Sequence, residues 1–278
     1  MPQYIIEIKE LRKYYGSGIR GLGILALDGI DLQVPEGSIF GLLGPNGAGK
    51  STAIKILLGL SRQNSGLCLV FGKKVSPQLR KRIGYLPEAP YFYKFLTGFE
   101  MVRLSAELCG MARRDAASAA RKALELVGLG DAADRRIGLY SKGMVQRVGL
   151  AQATVHNPDL VILDEPASGL DPIGAADMAD SIRRLRGEGK TVLMSSHIMS
   201  EVESLCTDVA ILSQGKIAAS GNLDSLLERG KRTILELDGA NGDKIKKISD
   251  YAESMGVSAK AAGKGGIPLE KYFRKVVR

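Results

Sequence analysis

The sequence predicts an α/β fold built on a parallel sheet. Three short apolar runs, at residues 39–43, 160–163 and 191–194, are typical of parallel strands that are buried on both faces. A helical pattern over residues 174–186 lies between the last two runs, as the crossover between parallel strands requires. The first run leads directly into a glycine-rich loop and a helical pattern over residues 51–60, so the predicted order there is strand, loop, helix.

The remaining segments predict additions on either side of this sheet. Residues 4–8 and 30–34 alternate as short strands, and residues 208–212 and 216–219 read as a hairpin. Helical patterns at residues 97–126 and 143–154, separated by a loop, predict a helical insert of about residues 90–150.

The character of the chain changes near Gly230. A strand at residues 233–237 and a helix at residues 243–255 predict a small C-terminal extension over residues 231–278, with a flexible basic loop at residues 261–266. The main domain then covers residues 1–230.

Length and composition place the chain among ordinary globular proteins. It has 278 residues, of which 45% are hydrophobic, and this composition excludes a disordered or fibrous chain. No apolar run approaches the roughly 20 residues that span a bilayer, and the amino terminus shows no basic leader or cleavage site. A cytoplasmic protein without a membrane span is therefore expected.

The net charge of +9 comes from short, scattered basic clusters without interleaved aromatic residues, so no nucleic-acid partner is expected. Cys68, Cys109 and Cys206 are also scattered, and His156 and His197 do not complete a metal-ligand spacing with them. The three cysteines are interpreted as reduced core thiols.

The loop after the first buried run matches the phosphate-binding pattern, in which glycines let backbone N–H groups face a phosphate at the start of a helix. Lys50 is expected to reach the β and γ phosphates, and the Ser51 hydroxyl is expected to bind Mg2+. The predicted nucleotide-binding residues of this segment are Gly44, Pro45, Asn46, Gly47, Ala48, Gly49, Lys50, Ser51 and Thr52.

Acidic residues follow the second buried run at the carboxyl end of its strand, where open α/β sheets bind their ligands. Asp164 is expected to organise the Mg2+ shell, and Glu165 to orient or deprotonate an attacking water. If the three strands are neighbours, His197 lies on the same rim and bonds a γ-phosphate oxygen or the water. The chain contains no Asn-Lys-x-Asp stretch that would read guanine, so ATP is the expected nucleotide.

The sequence from Tyr4 to about Leu226 resembles the nucleotide-binding subunit of an ATP-binding cassette (ABC) transporter, because these residues occur in the order that is found in that family. Tyr-Ser-Lys-Gly-Met at residues 140–144 stands where that family has a Leu-Ser-Gly-Gly-Gln signature, and Ser168–Asp171 resembles its D-loop. The resemblance implies a P-loop NTPase with a RecA-like core, an N-terminal antiparallel β subdomain, a helical insert and a small α+β C-terminal extension.

The resemblance also implies further site residues. Two subunits of this family close head to tail over ATP, so Ser141 and Gly143 would contact the partner's nucleotide, as would Asp171 in the D-loop. Tyr15 corresponds to the aromatic residue that stacks on adenine. Glu88 occupies the position of a usual glutamine and is a further candidate Mg2+ ligand. Lys142, where glycine is usual, would add a cation near the partner's ATP.

The signature, the Tyr-Leu-Pro-Glu stretch at residues 85–88 and the terminal residues 269–273 resemble the subgroup that serves bacterial type-2 (ABC-2) exporters. The expected function is ATP hydrolysis coupled to transport. The expected partners are a second copy or a paralogous ATPase subunit, and an integral membrane permease that docks near Glu88 and the aromatic residues Tyr91, Phe92, Tyr93 and Phe95. The expected location is the cytoplasmic face of the cell membrane.

Two other functions remain in view. A soluble ABC ATPase of DNA repair or cofactor assembly would need no permease. A regulatory module that binds ATP without hydrolysing it is disfavoured, because Lys50, Asp164, Glu165 and His197 occur together. For the aromatic residues after Glu88, plain core packing is the alternative to docking.

Overall fold

Two β-sheets form the framework of the protein, whose computed structural model describes residues 4–16, 23–227, 242–255 and 273. The strands run in chain order as β1 (Tyr4–Tyr15), β2 (Ile24–Pro35), β3 (Ile39–Leu43), β4 (Ser65–Val70), β5 (Ile83–Leu86), β6 (Leu160–Asp164), β7 (Thr191–Ser196), β8 (Asp208–Ser213) and β9 (Lys216–Asn222).

The smaller sheet has the order β2-β1-β4 and is antiparallel. The larger sheet has the order β5-β6-β7-β3-β8-β9, with parallel pairs from β5 to β8 and an antiparallel pair between β8 and β9. The strands predicted from the three buried runs, β3, β6 and β7, are therefore adjacent. Their carboxyl ends lie side by side at one edge of the sheet.

Both faces of the larger sheet are covered, which explains the continuous apolar runs of its strands. Ile39 and Leu43 of β3 pack into a cluster with residues of the helical insert, whereas Phe40 and Leu42 pack into a second cluster with the smaller sheet. Alternate side chains of one strand thus belong to different cores.

The helices are α1 (Lys50–Leu57), α2 (Pro77–Arg80), α3 (Gly98–Leu108), α4 (Arg113–Leu126), α5 (Lys142–Thr154), α6 (Pro172–Gly187), α7 (Met199–Leu205), α8 (Leu223–Leu226) and α9 (Gly242–Ser254), with a 3-10 turn at Ile137–Leu139. Thr97 and Glu100 form a reciprocal capping box that starts α3. The helix predicted over residues 97–126 is in fact two helices. Gly110, which lies between them with φ of 94°, ends the first in a left-handed conformation that glycine adopts without strain.

The C-terminal extension is described in part. α9 confirms the helix predicted there, and Phe273 packs against the core cluster that includes the helical insert. The predicted strand at residues 233–237, the boundary at Gly230 and the loop at residues 261–266 lie outside the described residues. Among the described residues, no helix combines the length and apolarity needed to cross a membrane.

The cysteines differ in exposure, which gives a test of the core. All three are free thiols, and burial raises the pKa of Cys68 to about 11 and that of Cys206 to about 12. Cys109 is only half-buried, so the interpretation of three core thiols is wrong for this residue. We expect a disulfide reagent at pH 8 to titrate Cys109 in a faster phase and the other two only in denaturant, because solvent reaches Cys109 although partial burial raises the pKa of its thiol as well. Cys109→Ser should remove the fast phase, and a fast phase of two thiols would contradict the packing.

Candidate nucleotide-binding and catalytic site

The phosphate-binding loop connects β3 to α1, as the sequence predicts. Gly47 and Gly49 have φ of 80° and 110°, a left-handed backbone that favours glycine. A β-carbon on Gly49 would lie 2.5 Å from the Ala26 carbonyl oxygen, so a side chain there would push the loop away from β2. Because the loop ends at a helix amino terminus, its N–H groups are placed to bind an anion.

Lys50, the first residue of α1, is buried with 5% of its surface exposed. Its Nζ atom donates hydrogen bonds to the carbonyl oxygens of Gly44, at 2.7 Å, and Pro45, at 3.3 Å. The same atom lies 3.1 Å from Glu165 Oε1. This contact is an ion pair without hydrogen-bond alignment, since the buried Oε1 atom accepts no hydrogen bond. The ammonium group thus joins the loop to the acidic end of β6.

Glu165 follows β6 directly and is 7% exposed. Its Oε2 atom lies 2.8 Å from His197 Nδ1, a distance at which the ring N–H donates to the carboxylate. The adjacency of β6, β7 and β3 brings Lys50, Glu165 and His197 together. Glu165 has φ of 50°, a left-handed conformation that is unusual for a non-glycine residue and marks a backbone constrained by its surroundings.

A serine that the sequence reasoning missed holds both acidic residues. Ser195 lies in β7 directly opposite Asp164 in the parallel ladder and is completely buried. Its hydroxyl group donates to Asp164 Oδ1 at 2.6 Å and accepts from the Glu165 backbone N–H at 2.9 Å. The available sequence signal was a polar residue at the end of a buried apolar strand, two positions before His197.

The donor set at this edge of the sheet fits Mg2+. A serine hydroxyl and a carboxylate, from Ser51 and Asp164, are hard oxygen ligands, and Mg2+ typically keeps water and phosphate oxygens for the rest of its shell.

Glu88, the third candidate Mg2+ ligand, is in a different environment. Its side chain is exposed, and its backbone carbonyl accepts a 3.4 Å hydrogen bond from Gln146 Nε2. Among the described residues, the Glu88 carboxylate has no hydrogen bond or ion pair, and no group of three or more His, Cys, Asp or Glu residues is arranged around a metal position.

Tyr15 ends β1 beside the first turns of α1 and is 41% exposed. Hydrogen bonding to Ser61, the largest cause, and to Thr52 lowers the pKa of the Tyr15 hydroxyl. The Lys13 ammonium lies 4.7 Å from the centre of the Tyr15 ring and covers part of one face. An exposed, anchored aromatic ring is suited to stacking on a base.

The signature residues lie at the amino terminus of α5. Ser141 is exposed, and its hydroxyl oxygen accepts from the Met144 N–H at 3.2 Å, so it caps the helix. The Lys142 ammonium lies against Gly169 of the D-loop in the same chain. The contact is so close that a β-carbon added to Gly169 would collide with the ammonium group. The Asp171 carboxylate caps α6 by accepting from the Gly174 N–H at 2.7 Å.

An exposed aromatic patch, formed by Tyr91, Tyr93 and Phe95, precedes α3. The three rings are 97%, 62% and 69% exposed, whereas Phe92 packs against the core. Plain core packing is therefore wrong for the patch and correct for Phe92.

Backbone hydrogen bonds connect this aromatic segment to the residues before the signature. The N–H of Ile137 donates to the Leu96 carbonyl at 2.8 Å, and the N–H of Gly138 donates to the Lys94 carbonyl at 3.0 Å. Tyr140 directly precedes Ser141 in the sequence, and its hydroxyl group donates to the Ala132 carbonyl at 2.8 Å.

Comparison with known proteins agrees with this geometry. The family model described as ABC transporter matches residues 27–168. An uncharacterised ABC transporter ATP-binding protein of Nostoc sp. is 44% identical over 243 residues, which cover 86% of this chain and 72% of that protein. The bacitracin transport ATP-binding protein of Enterococcus faecalis is 33% identical, with 99% of this chain and 97% of that protein covered.

A solved dimeric structure of a bacterial ABC transporter cassette matches with a TM-score of 0.71 and 25% identity, covering 78% of this chain and 98% of that one. The chain therefore belongs to the ABC transporter family and is an ATP-binding subunit with ATPase activity.

Proposed function

We propose that this chain hydrolyses MgATP with Glu165 as the general base and thereby powers an ABC exporter. The observation that carries this assignment is the position of the Glu165 carboxylate, which lies between the Lys50 ammonium, at 3.1 Å, and His197 Nδ1, at 2.8 Å. Both oxygens of this buried carboxylate are held by a cation or an N–H donor. The carboxylate therefore has one fixed orientation from which to accept a proton. No other acidic side chain among the described residues lies between a phosphate-loop lysine and a histidine.

Each side chain then has a defined part in phosphoryl transfer. The loop N–H groups and Lys50 bind the phosphates, and Glu165 accepts a proton from the attacking water. Since the Nδ1–H group of His197 donates to Glu165, its Nε2 atom is left to accept a hydrogen bond from the attacking water, or to donate one to a γ-phosphate oxygen when both ring nitrogens carry a proton. Ser51 and Asp164 are the proposed Mg2+ ligands, and the ion would supply neutralisation of the negative charge on the phosphates. Tyr15 is proposed to stack on adenine.

The second half of the ATP site is proposed to come from another copy of the chain or from a paralogous subunit, arranged head to tail. Ser141 is exposed at the amino terminus of α5, where the helix dipole and free N–H groups favour an anion. The signature and D-loop segments, which carry Gly143 and Asp171, are in contact, since the Lys142 ammonium lies against Gly169 and a β-carbon on Gly143 would lie 4.0 Å from the Leu170 side chain. These surfaces support contact with a partner's ATP.

The transport partner is proposed to be an integral membrane permease, which places the chain on the cytoplasmic face of the cell membrane. The aromatic patch supports this proposal, since exposed aromatic rings are typical of the anchors of a protein interface, and the rings of Tyr93 and Phe95 lie with their centroids 5.6 Å apart. The exporter direction rests on the subgroup resemblance of the signature and of residues 85–88.

The patch gives a direct test of the permease proposal. Tagged Glu165→Gln protein, purified from detergent-solubilised cells with ATP present, should bring down a polytopic membrane protein in stoichiometric amount. Changing Tyr91, Tyr93 and Phe95 together to Ser should reduce its recovery at least tenfold, because interface anchors of this type each contribute about 1 to 2 kcal/mol and about 1.4 kcal/mol is already a factor of ten in affinity.

A matched control changes the exposed residues Tyr251, in α9, and Met255, directly after it, as Tyr251→Ser/Met255→Ser, and should leave recovery unchanged. Recovery of soluble proteins or nucleic acid alone would contradict the permease proposal and favour the soluble ABC ATPase. Unchanged recovery with the triple substitution would show that the patch is not the docking surface.

A further inference from the structure

Ser195 makes a two-sided hydrogen bond that links the two acidic residues of the site. Its hydroxyl hydrogen is donated to Asp164 Oδ1 at 2.6 Å, a short distance that is typical of a charge-assisted bond to a carboxylate. The same oxygen accepts the Glu165 N–H at 2.9 Å. Because a hydroxyl group has one proton and two lone pairs, both bonds form at once without competition.

The bond to Asp164 fixes which carboxylate oxygen remains free. Within the described part of the chain, the Asp164 carboxylate has no other hydrogen bond and no ion pair, so Ser195 alone holds its orientation. Oδ1 is occupied by the serine proton, and Oδ2 is left for a metal ion or for a metal-bound water. Residues that orient a metal ligand in this way control its geometry without touching the metal.

The bond to the Glu165 N–H fixes the neighbouring residue. Glu165 holds φ at 50°, a conformation that L-residues rarely adopt, and the hydrogen bond to a buried hydroxyl keeps its amide in place. From this backbone position the side chain reaches Lys50 and His197. A shift in the amide would move the carboxylate away from both partners.

We infer that Ser195 is a positioning residue for the hydrolysis reaction, which sets the Asp164 carboxylate for the metal and the Glu165 carboxylate for the water through one hydroxyl group. It acts through these two residues and does not itself contact the nucleotide. The inference rests on the proposed roles of Asp164 and Glu165.

The test compares Ser195→Ala, which removes the hydroxyl, with Ser195→Thr, which keeps it. Ser195→Ala should lower kcat and weaken Mn2+ binding in the presence of ADP, each by about 10-fold or more, the usual effect of losing a group that orients a metal ligand. The affinity for metal-free ADP should change by less than about threefold, because the phosphate loop is unaltered, whereas the KM for MgATP should rise in step with the weaker metal binding. Ser195→Thr should restore both quantities to within about threefold of the parent. Mn2+ binding is measured by electron paramagnetic resonance of the free ion, which is independent of turnover.

Thr191→Val is the matched control, since Thr191 is a buried hydroxyl residue at the other end of β7 that accepts from the Gly37 N–H at 2.9 Å. It should lower Tm and leave kcat and Mn2+ binding unchanged. If Ser195→Ala behaves in the same way, the serine has a structural role only and the inference is overturned. If Ser195→Ala does not fold, Ser195→Cys, with a weaker donor of similar shape, decides between the same two results.

Asp164→Asn and Glu165→Gln, measured in parallel, separate this inference from the proposed function. Parental kcat in both variants would overturn the proposed roles of the two acids. Loss of kcat in those variants, together with parental behaviour of Ser195→Ala, would overturn the role of Ser195 alone.

Discussion

Glu165→Gln is expected to lower ATP turnover by about 10²- to 10⁴-fold, the range that general base catalysis contributes. Glutamine has the same shape but cannot accept the proton of the attacking water. ATP should still bind, because the loop, Lys50 and Tyr15 are unchanged. The nucleotide-bound dimer should therefore accumulate. Phosphate release at saturating ATP measures the first effect, and size-exclusion chromatography with ATP measures the second.

Glu201→Gln is a suitable control for this variant. Glu201 lies in α7, close to the site, where its Oε2 atom accepts from Ser196 Oγ at 2.8 Å and burial raises its pKa. The variant should turn over ATP at a rate near that of the parent, since Glu201 contacts neither Lys50 nor the phosphate loop in the described residues. A Glu165→Gln protein with the parental rate would show that another group accepts the proton.

Lys50→Met is expected to abolish tight ATP binding and to reduce stability. The substitution removes the charge proposed to bind the β and γ phosphates, and a loss of about 10²-fold or more in kcat/KM is typical when such a group is deleted. It also leaves the Glu165 carboxylate buried with His197 as its remaining partner, along with two carbonyl oxygens that lose their donor. Breaking a buried ion pair from one side costs about 3 to 5 kcal/mol in the free energy of unfolding, and the exposed His197 reduces that cost here.

The double variant Lys50→Met/Glu165→Gln separates the two effects. It removes both charges, so the free energy of unfolding should recover by more than half of the loss, while ATP binding should remain weak. Urea unfolding and equilibrium binding of a fluorescent ATP analogue measure the two quantities. Lys74→Met, at an exposed lysine, is the control for loss of charge alone. Equal stability of the single and double variants would contradict the importance of the buried pair.

The larger sheet could be predicted because its strands are buried on both faces. Continuous apolar runs identified β3, β6 and β7, and the family motifs that follow them fixed the order of the site residues. The adjacency of these strands was a condition of the sequence argument, and the structure meets it. The boundary between α3 and α4 was missed, because Gly110 interrupts an otherwise continuous helical periodicity and a single glycine is compatible with a helix.

The site was harder to predict where one residue acts through another. Lys50, Asp164, Glu165 and His197 carry recognisable chemistry at recognisable positions, and the structure brings Lys50, Glu165 and His197 into contact. The importance of Ser195 depends on a hydrogen bond between adjacent strands to Asp164, 31 positions away in sequence, and the polar residue at the end of β7 marks the position without revealing that bond. Lys142 was assigned to a partner's nucleotide, yet in this chain its ammonium lies against Gly169, a contact that depends on a loop conformation.

The hydrogen bonds between residues 94–96 and 137–138 have a mechanical consequence. They join the chain that carries Tyr91, Tyr93 and Phe95 to the chain that enters the signature helix at Ser141. A permease docked on the aromatic rings, as proposed, would bear on a segment that is hydrogen-bonded to the residues three positions before the helix cap. A displacement of residues 94–96 would then be passed to residues 137–138 and towards Ser141 for as long as these hydrogen bonds persist.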